Sequence, residues 1–120
     1  MNKIVYIEDD PDLANVIEMA LSENYDLLIL YDAKNIVEKI LSFMPDLILI
    51  DNYIGVTQAS EVIAEIKTAK SLAHIPFVLC SGHADIKTIA INISASAYLE
   101  KPFALKDLYN TIETVLEKSI

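Results

Sequence analysis

Glycine is nearly missing from this chain: its 120 residues hold only Gly55 and Gly82, far apart in sequence. A dinucleotide fingerprint or a P-loop needs glycines within a few residues of each other, so that backbone amides can close on phosphate, and neither can be formed here. Cysteine is scarcer still. Cys80 stands alone inside an apolar run, so no internal disulfide can form and a reduced, cytoplasmic protein is expected. Positive charge is short as well. Lys and Arg total 9 against 18 Asp and Glu, giving a net charge of −9 and a pI near 4.5. That is the wrong sign for a nucleic-acid surface. No apolar run has the length of a membrane span, and Met1 to Ile7 is too short for a secretory signal. Neither nucleic acid nor membrane is expected as a direct partner.

What is present suffices for one core. Hydrophobic residues make up 53% and charged residues 22% of the chain, a globular composition. Residues 1–120 are therefore expected to form one domain. No linker, repeat or low-complexity tract interrupts them, and strand-like apolar runs alternate with helical periods.

The central run is Asp46 to Gly55. Leu47 to Ile50 is continuously apolar and ends on the carboxylate of Asp51, as in a parallel strand covered by helices on both faces. Before it, Lys3 to Ile7 reads as a strand ending in Glu8, Asp9 and Asp10. Asp10 can cap a helix that begins at Pro11 and buries Leu13, Val16, Ile17, Ala20 and Leu21. Tyr25 to Tyr31 reads as a second strand, and Asp32 can cap a helix buried through Ile36, Val37, Ile40 and Leu41 that Pro45 stops. After Asp51 a third helix is expected from about Thr57, with Val62, Ile63 and Ile66 inward; Ala69 to His74 either extends it or forms a loop. Phe77 to Cys80 is the next strand, ending at Ser81-Gly82-His83, and a helix follows with Ile86, Ile89, Ala90 and Ile93. Ala97 to Glu100 is a short strand that runs into Lys101-Pro102-Phe103, and the last helix buries Leu105, Leu108, Ile112, Val115 and Leu116. Strict β-α alternation predicts an α/β fold, a doubly wound five-stranded parallel sheet with right-handed crossovers and helices on both faces.

In a parallel sheet these strands deliver their last residues to one edge, where ligands bind in such folds. Glu8, Asp9, Asp51, Ser81 and Lys101 would meet there. Carboxylates packed together stay ionised only beside positive charge. Lys101 supplies one, and a hard divalent cation such as Mg²⁺ suits the rest. An Asp carboxylate is a competent nucleophile toward phosphorus, and cation, lysine and the Ser81 hydroxyl can share the charge of a transferring phosphoryl group. Asn52, Gly82 and His83 flank this constellation. Cys80 reads as inert core, and His74 has no metal-ligand spacing around it.

Glu8-Asp9-Asp10-Pro11, Asp46 to Asp51, Ser81, Tyr98 and Lys101-Pro102-Phe103, in this order, resemble the receiver domain of two-component response regulators over essentially the whole chain. The resemblance implies a flavodoxin-like sheet of order 2-1-3-4-5. It implies phosphorylation of Asp51 from a phosphohistidine with Mg²⁺ or Mn²⁺, Asp9 being a direct ligand, Glu8 holding a coordinated water and the backbone carbonyl of Tyr53 a further ligand. Lys101 would bind a phosphoryl oxygen, Ser81 would shift toward it, and Tyr98 would be the switch aromatic. The Lys101-Pro102 bond is expected to be cis. Upstream partners would be a sensor histidine kinase or a histidine phosphotransfer protein. Downstream would stand a protein or output domain, reached through the face of helix four, strand five and helix five, with a phosphorylation-dependent dimer as one outcome.

The chain departs from the family pattern in three places. Gly55-Val56-Thr57-Gln58-Ala59 replaces a loop that usually carries Pro-Gly and a later Gly, Ser94 stands where Gly is common, and Gly82 where Ala is usual. Two other readings compete. One is a receiver-like scaffold that is not phosphorylated. The other is a Mg²⁺ phosphatase of the haloacid-dehalogenase type, which would need a second Asp where Tyr53 stands. A signalling phosphoacceptor, with no turnover of a substrate, is the reading preferred.

Overall fold

Leu47, Ile48, Leu49 and Ile50 are each at most 1% exposed, so the central run is covered on both faces. The computed structural model describes residues 1–119; Ile120, the last residue of the expected domain, lies outside the described residues. Its elements are β1 (Lys3–Ile7), α1 (Pro11–Leu21), β2 (Asp26–Leu30), α2 (Ile36–Phe43) and β3 (Leu47–Asp51), followed by β4 (Tyr53–Ile54), β5 (Thr57–Gln58) and α3 (Ala59–Ile66). The chain continues through β6 (Phe77–Ser81), α4 (Ile86–Asn92), β7 (Ala97–Glu100) and α5 (Leu105–Lys118). The main sheet runs β2-β1-β3-β6-β7, and every pairing in it is parallel. With the small β4-β5 pair set aside, this is the expected 2-1-3-4-5 order.

Strand alternation divides the core in two. Val5, Ile7, Ile48, Ile50, Phe77 and Leu79 share one cluster with Ile36 and Ile40 of α2, Val62, Ile63 and Ile66 of α3, and Ile86 and Ala90 of α4. Ile4, Tyr6, Leu47, Leu49, Val78, Cys80 and Leu99 share the other with Ala14, Ile17 and Leu21 of α1 and Leu108, Ile112 and Val115 of α5. Each fully buried Leu, Ile or Val contributes about 1.5–3 kcal/mol relative to an exposed one. The result is a rigid slab whose carboxyl edge is level. Ile7 pairs with Ile50, Asp51 with Cys80, and Ser81 with Glu100, so Glu8, Asp51, Ser81 and Lys101 all emerge together.

Several local expectations are corrected. Asp10 caps α1 as expected, its side chain accepting from the N–H groups of Asp12 and Leu13. Asp32 does not cap α2. It accepts from Lys34 N–H at 2.9 Å in a turn before the helix, and α2 starts after Asn35, which has φ 51° and makes no side-chain cap. Thr57 and Gln58 are not helical either. They pair antiparallel with Ile54 and Tyr53, and α3 begins at Ala59, whose N–H donates to Asn52 O at 2.7 Å. Of the two alternatives open for Ala69 to His74, the structure takes the loop, with turns around the buried Leu72. Val16 (52%), Leu41 (38%) and Leu105 (43%) are exposed rather than inward. In α1 the reason is that Ala14, Ile17 and Leu21, at spacings of three and four, own the core-facing stripe.

Candidate functional site at the carboxyl edge of the sheet

The level edge brings the expected acids together. Carboxylate oxygens of Glu8, Asp9 and Asp51 all lie within 4.8 Å of one another. Lys101, carried in by β7, donates from Nζ to Glu8 Oε1 and to Asp51 Oδ1, each at 3.0 Å. The bond between Lys101 and Pro102 is cis. Three carboxylates against one ammonium leave a local charge of about −2 when all are ionised. A hard dication answers that charge, and carboxylate oxygens converging at an open edge are the donors Mg²⁺ or Mn²⁺ takes. The residues present fit such an ion.

Burial differs sharply among the acids. Glu8 is 1% exposed, whereas Asp9 faces solvent and Asp51 is half-buried. Burial pushes the Glu8 carboxyl up; the hydrogen bond from Lys101 opposes this, the Asp51 charge adds to it, and the net direction is upward. For Lys101, burial works against the ammonium, but the hydrogen bonds to Glu8 and Asp51 outweigh it and leave its pKa raised. Cys80, beside Asp51 in the register, is pushed up to about 12 by burial and is an inert thiol at neutral pH.

The other expected residues sit around this centre without joining its hydrogen bonds. Ser81 is buried at the end of β6, where its Oγ accepts from His83 N–H at 3.1 Å. His83 is exposed, its Nδ1 accepting from Asp85 N–H. Tyr98 is 41% exposed on β7, and Tyr53 is 45% exposed with its hydroxyl accepting from Gln58 Nε2. Asn52 is buried, and its N–H donates to Cys80 O at 3.3 Å. A Cβ added at Gly82 would lie 3.9 Å from Lys101 Cβ, an ordinary contact, so no crowding requires glycine there. A groove of about 900 Å³ lies elsewhere, lined by Pro45, Asp46, Pro76 and Ser119 among others.

Two participants are absent from the sequence expectations. The Tyr6 hydroxyl donates to Glu8 Oε1 at 3.1 Å from within the core. Burial pushes its pKa up, with the Glu8 charge adding to the shift, so it is a neutral donor. Its spacing of two from Glu8 on a strand was the available signal. Gly55 N–H donates to Asp9 Oδ2 at 2.8 Å, with Gly55 at φ +63° and nothing within 4 Å of where a Cβ would be. That left-handed turn brings the small hairpin onto the acid.

A doubly wound parallel sheet with an acidic carboxyl edge and a lysine reaching into it places this chain among open α/β modules that bind ligands at that edge. The response regulator receiver domain model matches residues 4–113, and the chain belongs to that family. Response regulator ArlR of Staphylococcus saprophyticus is 33% identical over 121 residues, an alignment that takes in 98% of this chain and 54% of ArlR. The chain thus spans about half the length of that relative. NtrX from Brucella abortus, solved in complex with ADP, superposes with a TM-score of 0.87 at 28% identity, over 98% of this chain and 27% of NtrX. A CheY-like receiver domain protein from Methanospirillum hungatei superposes at 0.86 with 22% identity, over 99% of this chain and 96% of its own, a likeness of fold. Among the described residues no helix is long and apolar enough to cross a membrane.

Proposed function

We propose that Asp51 is the phosphoacceptor of a cytoplasmic two-component or phosphorelay pathway. The observation that carries this reading is Lys101 Nζ bridging Glu8 and Asp51 at 3.0 Å, inside a cluster whose carboxylate oxygens lie within 4.8 Å. An Asp51 oxygen attacks phosphorus, the P–N bond to a phosphohistidine breaks, and the leaving imidazole nitrogen takes a proton. The donor is a sensor histidine kinase or a histidine phosphotransfer protein. Asp9, Asp51, the Tyr53 carbonyl and a water on Glu8 would hold Mg²⁺ or Mn²⁺, which when bound would supply positive charge to the phosphoryl oxygens. Lys101, already on Asp51, takes a further phosphoryl oxygen as charge builds there.

Phosphorylation adds about −1.5 to −2 charges beside the acidic pair. In this reading Ser81 releases the His83 amide to reach a phosphoryl oxygen, and Tyr98 turns inward behind it. These contacts favour one of two arrangements of the face formed by α4, β7 and α5, where Ile91, Tyr98 and Leu105 are exposed. That face then gains or loses a downstream protein, an output domain or a second copy.

Incubation with acetyl phosphate and Mg²⁺, read by intact mass, tests the site. One added phosphoryl group is expected on wild type and none on Asp51→Asn. Equal labelling of both overturns the assignment of Asp51, and no labelling of wild type overturns phosphoacceptance itself. Amide NMR with beryllium fluoride should then show shifts on α4, β7 and α5.

A further inference from the structure

Glu8 is held from a direction that phosphoacceptance does not use. Its Oε2 accepts from Asp10 N–H at 3.3 Å. Its Oε1 accepts twice, from Lys101 Nζ at 3.0 Å and from the Tyr6 hydroxyl at 3.1 Å. Tyr6 is 2% exposed and Glu8 1%, and the two share one side of the sheet because they are two apart on one extended segment. Lys101 in turn donates to Asp51 Oδ1. A hydrogen-bonded line therefore runs from the apolar core through Tyr6, Glu8 and Lys101 to Asp51.

We propose that Tyr6 is a positioning residue, whose hydroxyl occupies part of Glu8 Oε1 and so sets how the Lys101 ammonium is shared between Glu8 and Asp51. The inference rests on the phosphoacceptor reading above. An ammonium carries three donor protons and no acceptor, and two of the three meet carboxylates here. A buried carboxylate draws the best donor available, since low dielectric strengthens each attraction. With the hydroxyl in place, part of the charge on Oε1 is already satisfied and Lys101 stays on Asp51, ready for a phosphoryl oxygen. Without it, Oε1 draws Lys101 toward Glu8 and away from the reacting carboxylate.

Tyr6→Phe removes the oxygen and keeps the ring, so packing is retained. In acetyl phosphate labelling at saturating Mg²⁺, its initial rate should fall about fivefold, the factor equivalent to one hydrogen bond of ordinary net strength. The Mg²⁺ concentration giving half the maximal rate should not change, because Tyr6 acts through Lys101. Because the residue works through Glu8, Tyr6→Phe should cost nothing further in a Glu8→Gln chain. A second readout is independent of rate: the ¹⁵N signal of the Lys101 ammonium in unphosphorylated protein should move on Tyr6→Phe. A wild-type labelling rate in Tyr6→Phe, an equal loss in both backgrounds, or an unmoved ammonium signal overturns the inference. If wild type is labelled and Asp51→Asn is not, such a result leaves the phosphoacceptor reading standing. If wild type takes no label, that reading itself has failed.

Discussion

Replacing Lys101 with methionine keeps an unbranched stem and removes the one cation that the acidic cluster holds among the described residues. Two charge-assisted bonds of 3.0 Å are lost, each worth about 1.5–3 kcal/mol net. The Glu8 side chain is 2% and the Asp51 side chain 17% exposed, so water replaces little of what Glu8 loses. The full sum is not reached, because Glu8 can take up a proton; burial and the Asp51 charge already push its carboxyl upward, and the Lys101 hydrogen bond is the main influence against them. Lys101 is itself 24% exposed in its side chain, which places the loss near the lower end of the range for breaking a buried pair, about 3 kcal/mol. Urea unfolding at pH 7 in EDTA would measure it as a midpoint about 1.5 M lower, taking m near 2 kcal/mol/M. Adding Glu8→Gln should recover more than half, since the buried charge is then gone. A loss below about 1 kcal/mol, or an equal loss with and without Glu8→Gln, would refute the view that Lys101 compensates a buried carboxylate.

Other outcomes follow from the same residues. Because the Glu8 pKa is raised in the fold, its favourable protonated form is fully present below the ordinary value of 4.5 and is lost as pH rises through the raised one. In EDTA, wild type should therefore gain stability relative to Glu8→Gln as pH falls from 7 toward 4.5; a constant difference in chemical denaturation would contradict this. Lys101 is raised above 10.5, so the advantage of wild type over Lys101→Met should persist up to that pH and fade as pH climbs through the raised value. Ser94 sits at φ 62° just after α4, where a side chain costs about 1–2 kcal/mol. Glycine gives part of that back as unfolded-state entropy, so Ser94→Gly should add about 1 kcal/mol and raise Tm by about 4 °C in calorimetry. An unchanged or lower Tm would show that the turn carries no strain.

Element type and order were legible because the signals were long and consistent. Leu47 to Ile50 had no polar break, Asp10-Pro11 capped and opened α1 by local chemistry, and Ala97–Glu100 matched residue for residue. Convergence of Glu8, Asp9, Asp51 and Lys101 followed from parallel strands alone, since that topology sends every strand end to one edge. Where the reading failed, short-range competition decided. Asp32 satisfied Lys34 N–H before any helix could use it, and Gly55 closed a hairpin where a helix start was expected. Val16 and Leu105 show that an apolar residue at helical spacing does not reveal which of two overlapping stripes faces the sheet. Beyond its spacing from Glu8, the role of Tyr6 is not legible in sequence, because a hydroxyl inside an apolar run declares no partner until the neighbouring Glu8 side chain is placed. The amide of Gly55 was hidden for another reason. Backbone donors carry no residue signature, so their attachment to Asp9 emerges only with the turn geometry.

Cys80 has a practical consequence. As the sole sulfhydryl in the chain, 1% exposed in the strand adjoining Asp51, it is sealed from alkylating reagents while the sheet is closed. Its modification rate by a small maleimide would clock the separation of β6 from its neighbours and report opening of the slab without any engineered label.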